Sequence, residues 1–139
     1  KGLLECARLL VEAGAAVNQS EANAEGCTPL FKACQEGHLE IVRLLLEAGA
    51  APNQARNDGA TPLFAACYEG HLEMVRLLLE AGAAVAHADA QGRTPLLAAC
   101  HKGHLEVVRL LLEAGAAPNQ ARNDGATPLF AACHEGHVE

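Results

Sequence analysis

The chain has 139 residues, enough for one domain, and half of them are apolar, yet it contains only three Phe, one Tyr and no Trp. An apolar content made mostly of Ala, Leu and Val suits closely packed helices and argues against a β-sandwich, because strands favour β-branched and aromatic residues. Ten basic residues against seventeen acidic ones leave a formal charge of −7, which excludes nucleic acid and anionic membrane as main partners.

The opening segment, Gly2 to Gly14, has the outline of a leader peptide, but Glu5, Arg8 and Glu12 interrupt its apolar run. The same pattern recurs later in the chain, so this segment is predicted to be a helix of the fold. No apolar run approaches the roughly 18 residues of a membrane span. From Asn18 to Thr28 a loop follows, two residues longer than its counterpart from Asn53 to Thr61.

After that the chain repeats itself. Thr-Pro-Leu begins at Thr28, Thr61, Thr94 and Thr127, a constant interval of 33 residues. Cys34, Cys67, Cys100 and Cys133 keep that interval, as do Gly37, Gly70, Gly103 and Gly136, each glycine followed by a histidine (His38, His71, His104, His137). The stretch Glu47–Cys67 reappears unchanged as Glu113–Cys133.

Each unit reads as two helices and a turn. In the second full copy, the Thr61 hydroxyl is placed to accept from the first free amides of a helix, and Pro62 fits the first helical position. Residues Leu63 to Glu69 continue that helix and Gly70 stops it. A second helix follows His71, with Glu73 in its first turn. Leu72, Val75, Leu78 and Leu79 form its apolar face, and Glu73–Arg76 and Arg76–Glu80 are spaced to pair on the outer face. Asn-Asp-Gly at 57–59 then predicts a hairpin-like reversal before the next Thr. One such unit cannot bury its own apolar faces, so neighbours must do so, and the fold expected is a one-dimensional stack.

This 33-residue unit, with Gly-x-Thr-Pro-Leu-x-x-Ala, then Gly-His-Leu-Glu-x-Val-x-x-Leu-Leu and Gly-Ala, resembles the ankyrin repeat over essentially the whole chain. The resemblance implies an all-α solenoid of helix-turn-helix units joined by β-hairpin-like loops. Residues 1–18 form the second half of a repeat, repeats start near 23, 56 and 89, and 122–139 form the first half of another. The phase is the same at both ends, and a window of about four repeats from a longer array is expected. The sequence departs from the family at several positions, among them the family's second helical Ala, which is Cys34, Cys67, Cys100 or Cys133. The His that usually follows Thr-Pro-Leu is Phe31, Phe64, Leu97 or Phe130, so an apolar contact is expected there. The acidic residue that opens the hairpin survives only as Asp89, with Asn23, Arg56 and Arg122 elsewhere.

The recurring Cys and His invite a metal or redox reading. Stacked helices lie about 8–10 Å apart while a disulfide needs Cα atoms within about 7 Å, so equivalent cysteines are too distant to join. They are read as small interior side chains in a reducing intracellular compartment, the cytoplasm or the nucleus. Cys27, near a hairpin tip, is expected to be the most reactive thiol. The repeated His is expected to bond backbone at the turn between helices. His101 with His104 and His134 with His137 could be mistaken for ligand pairs, but the intervening glycines oppose convergence. No phosphate loop, nucleophile elbow or carboxylate dyad is present; no enzyme activity, metal or cofactor is expected.

Positions shared by all copies serve stacking, so recognition is sought where copies differ. The first-helix ends give Gln35 and Glu36, Tyr68 and Glu69, His101 and Lys102, and His134 and Glu135. The hairpin tips give Asn57, Asp58, Gln91, Arg93, Asn123 and Asp124, together with Ala24 and Glu25 in the first hairpin. The resemblance implies that these two sets share one concave surface. Tyr68, Arg93 and His101 are the expected centre, since Tyr and Arg dominate interface energetics. The expected role is a monomeric scaffold domain binding another protein with a basic or polar surface. The alternatives are a structural spacer and a Cys/His metal or redox sensor.

Overall fold

A computed structural model describes residues 2–23 and 25–136. Ala24 and His137 therefore lie outside the described residues. Among the described residues eight helices follow one another: α1 Gly2–Glu12, α2 Pro29–Glu36, α3 Leu39–Glu47, α4 Pro62–Glu69, α5 Leu72–Glu80, α6 Pro95–Lys102, α7 Leu105–Glu113 and α8 Pro128–His134. No strand occurs among the described residues, and no helix is long and apolar enough to cross a membrane.

The first helices α2, α4, α6 and α8 start by one device. The hydroxyls of Thr28, Thr61, Thr94 and Thr127 accept from the amide three residues on, at 3.1–3.3 Å, and Pro occupies the first turn. Satisfying an otherwise orphaned amide in this way stabilises a helix by about 1 kcal/mol. Gly37, Gly70 and Gly103 end these helices in the left-handed region, φ +80, +78 and +74°. The second helices then run antiparallel beside them.

Packing arranges the helices in two rows. First helices lie on first helices, α2 on α4, α4 on α6 and α6 on α8; second helices do the same from α1 to α7. The core lies between the rows. Leu30, Leu63 and Leu96 from the first row meet Val42, Val75 and Val107 and Leu45, Leu78 and Leu111 from the second, all buried. On the outer face, Arg43, Arg76 and Arg109 pair backward with Glu40, Glu73 and Glu106 at 3.6, 3.4 and 3.8 Å. The forward pairing of Arg76 with Glu80 does not form, because helical side chains lean toward the N-terminus.

Neighbouring units are also joined by polar contacts. The Asn18 and Asn53 side-chain carbonyls accept from Ala51 and Ala84 amides of the next unit, both at 2.8 Å. His104 Nε2 donates to the Tyr68 carbonyl at 2.9 Å. His104 thus bonds backbone near the helix end of the preceding unit, whereas the rings of His38 and His71 make no such bond among the described residues. A Cβ on Gly70 would stand 2.6 Å from the His104 ring, and one on Gly37 2.9 Å from that of His71. Glycine here both turns the chain and admits the neighbour's imidazole.

The connecting loops are closed by backbone bonds. Arg56 N–H donates to Ala60 O, Asp89 to Arg93 and Arg122 to Ala126, at 2.9–3.0 Å. Successive hairpins are bonded together: Asn57 N–H to Glu25 O, Ala90 to Asp58 and Asn123 to Gln91, at 2.8–2.9 Å. The first hairpin is closed from Glu21 to Cys27. Glu21 therefore holds the opening position, while Asn23, expected there, uses its side-chain oxygen to accept from Glu25 and Gly26 amides within the longer loop.

Candidate functional site

Hairpins and first helices meet on one face of the stack. Phe31 and Phe64 follow the capping threonines, so each emerges one turn into its helix toward the next hairpin. A guanidinium from that hairpin covers each ring: Arg56 over Phe31 at 5.0 Å and Arg93 over Phe64 at 5.1 Å. The apolar contact expected in place of the usual His is present, and a cation–π contact is added to it.

Each guanidinium is held by a carboxylate of its own hairpin. Arg56 grips Asp58 with two bonds, 2.8 and 2.7 Å, and Arg122 grips Asp124 likewise at 2.7 and 2.6 Å. In the hairpin between them the charges are exchanged: Asp89 opens the loop and Arg93 closes it, at 2.6–2.7 Å. The Asp89 side chain is almost wholly buried, which its two further bonds from the Gln91 and Arg93 amides make tolerable. The Arg56 hydrogen bond holds Asp58 below the ordinary carboxylate range, while burial pushes the other way. At Asp124 the Arg122 hydrogen bond, then the Ala126 amide, bring the carboxyl down to about 2.

Tyr68, one helical turn beyond Phe64, stacks on its ring with centroids 6.2 Å apart, and Lys102 Nζ lies 5.0 Å above the phenol. These groups border a recess of about 250 Å³, lined by Gln35, Glu69, Tyr68 and Arg93 together with Phe31, Phe64, Ala65 and Arg56. Four expected residues are thereby brought together. His101 is not among them. It lines a neighbouring recess of about 180 Å³ with His134, Glu135, Arg122, Leu97 and Phe130. There Glu135 Oε1 lies 3.5 Å from His101 Nδ1 and 3.1 Å from His134 Nδ1. Gln91, Asn123 and Asp124 line a third recess, along the hairpin tips. Glu36 pairs with Lys32 at 3.4 Å on the exposed end of α2.

Two expectations require correction. Residues that differ between copies are not all free of structural duty: Asp58, Arg93 and Asp124 fix their hairpins, and the Asn123 side-chain amide donates to Ala90 O at 3.0 Å. They vary as compensated pairs. Cys27 is buried, with Sγ donating toward the Glu25 carboxylate at 3.6 Å. Burial, then that contact, push its thiol above the ordinary value, the opposite of a reactive cysteine. Arg56, Arg122 and the phenylalanines were missing from the expected surface. The signal for them lay in the positions where the sequence departs from the family's His and Asp.

The remaining cysteines grade from interior to surface: Cys34 and Cys67 are buried, Cys100 is half-buried and Cys6 and Cys133 are exposed, all as free thiols. Burial pushes Cys34 up to about 12 and raises Cys67 as well.

The family model for ankyrin repeats in three copies matches residues 1–89 and 82–139. No curated protein matches the chain. The 33-residue interval, the capped helix pairs, the bonded hairpins and this match over the full length agree: the chain belongs to the ankyrin repeat family.

Proposed function

We propose that the chain binds a partner protein on the concave face of its stack, with the recess around Tyr68 and Arg93 as the centre of contact. Ankyrin repeats are in general protein–protein interaction modules on a non-enzymatic fold. The observation that carries the reading is the recess itself, where an amphipathic phenol and a pre-positioned guanidinium stand beside Gln35 and Glu69 on short, doubly capped helices. Rigid aromatic and Arg anchors in a recess are what interface centres are made of.

Both guanidiniums of the recess are already matched by aspartates, while Glu69 is exposed at its rim. With the net charge of −7, this favours a partner surface that is basic or polar. The recurrence of cysteine as a small interior side chain supports a reducing, intracellular setting.

Affinity capture with the wild-type chain and with Tyr68→Ala tests the centre, each partner then being titrated in rising salt. Loss of the partner with Tyr68→Ala, and weaker binding as salt screens the charges, are expected. Equal recovery by both proteins would remove Tyr68 from the interface, and affinity indifferent to salt would remove the charge argument.

A further inference from the structure

The recess around Tyr68 and the recess around His134 are built on one register. Phe31, Gln35, Arg56, Tyr68 and Glu69 of the first correspond, two repeats on, to Leu97, His101, Arg122, His134 and Glu135 of the second. A buried alanine, Ala65 or Ala131, lines each. In α2 that register holds Lys32, which pairs with Glu36 of its own helix at 3.4 Å. With alanine there instead, Glu69, Lys102 and Glu135, the counterparts of Glu36, are not drawn back by a lysine one turn earlier, and all three are exposed. Lys102 rides on the Tyr68 ring between the two recesses. Asp58, Asp89 and Asp124 are matched by arginines within their own hairpins, so the first helices set the charge order of the face. Over three successive units it reads acidic, basic, acidic.

Spacing selects the kind of chain that can follow that order. Stacked helices recur about every 8–10 Å. A β-strand presents alternate residues about 7 Å apart and falls out of step after one unit. An α-helix advances about 5.4 Å per turn and brings an unmatched turn between units. A polyproline II segment has three residues per turn and rises about 9 Å in that turn, so every third residue meets the next unit in step.

We propose that the partner lies on the concave face as a polyproline II segment with a basic, an acidic and a basic residue at i, i+3 and i+6, set against Glu69, Lys102 and Glu135; this rests on the concave-face reading above. The order is the same from either end, so both chain directions fit. Phe64 and Tyr68, stacked with centroids 6.2 Å apart, supply the aromatic lining on which such segments dock. Glu135 has ring nitrogens of His101 and His134 beside it at 3.5 and 3.1 Å. A carboxylate accepts several bonds at once, so it serves the segment alongside them.

Two capped peptides of one composition, Lys-Pro-Pro-Glu-Pro-Pro-Lys and Lys-Pro-Pro-Lys-Pro-Pro-Glu, test the order when titrated into the chain with amide NMR shifts as the readout. The wild-type chain is expected to bind the first about tenfold more tightly, with shifts centred on the ends of α4 and α6. Lys102→Glu makes all three positions acidic and is expected to bind both peptides alike. Glu69→Lys combined with Lys102→Glu sets the order to basic, acidic, acidic, and the preference is expected to reverse, because the second peptide read backwards supplies acidic, basic, basic. Misfolding cannot produce that gain. The proposal is overturned if the wild-type chain binds neither peptide or both equally, or if either variant keeps the wild-type preference. A partner still captured through Tyr68 while the peptides fail removes the segment and leaves the concave site standing; capture indifferent to Tyr68→Ala with the peptide preference intact does the reverse.

Discussion

Thr61–Cys67 and Thr127–Cys133 have the same sequence, and locally they have the same structure. Each starts with a threonine accepting from the amide three residues on, at 3.3 and 3.2 Å, followed by proline and a single short helix. Their surroundings differ. α4 lies between α2 and α6, whereas α8 touches α6 on one side only, so Leu63, Phe64 and Cys67 are buried while Leu129, Phe130 and Cys133 are exposed. The comparison separates two contributions that are usually mixed. Helix start, direction and stop are written within the unit; burial, and most of the stabilisation, comes from the next one.

The largest contrast should be chemical. A thiol reacts as its thiolate, and burial keeps Cys34 and Cys67 protonated across the ordinary pH range. They should be labelled only through opening of the stack, roughly a thousandfold or more slower than Cys133 and Cys6. Mass spectrometry of a labelling time course at pH 8 checks this, and equal rates at Cys67 and Cys133 would break the comparison. Next, Leu63→Ala should cost about 3 kcal/mol through lost burial and a cavity, whereas Leu129→Ala should fall within about 0.5 kcal/mol of the parent. Urea unfolding curves measure both.

The capping threonines sharpen the local half of the argument. Thr61→Ala should cost about 1 kcal/mol, and Thr127→Ala should reduce the helicity of α8 while moving the main transition much less. Amide exchange resolves the two. The smallest effect concerns Asp58 and Asp124. Both carboxyls are held below their ordinary value in the folded chain, so their contribution is complete above the unfolded pKa of about 4 and is lost as pH falls through the folded value. Burial opposes ionisation at both, but it ranks second among the influences on Asp58 and third at Asp124, behind the Ala126 amide, so Asp58 should titrate above Asp124. Asp58 is partly exposed, which limits its contribution to under about 1 kcal/mol. Carboxyl titration by NMR gives the order directly, and a reversed order would mean that neighbours do not tune the hairpins.

The helices were legible in the sequence because their signals are local: threonine and proline at the start, glycine at the stop, leucine at helical spacing between. The stack was legible because the units are too thin to stand alone. The recess was half legible. Tyr68, Glu69, Gln35 and Arg93 stood out as differences between copies, but reading each position singly hid the exchange of Arg56–Asp58 for Asp89–Arg93, which keeps a guanidinium over the preceding ring by two different routes. Such compensation is visible only when positions are compared in pairs. Cys27 was misread because proximity to a tip was taken for exposure. It stands in the position of Ala60, before the capping threonine, where the chain turns inward and both residues are buried.

Tyr68 is the only tyrosine of a chain that has no tryptophan, and it lies between Phe64 and Lys102 at the edge of the central recess. The near-ultraviolet absorption and emission of the molecule therefore come almost entirely from that one spot. A ligand entering the recess displaces water from the phenol or shifts the ammonium above it, and either event changes the optical signal. The chain thus carries its own dye, placed where occupancy would be felt.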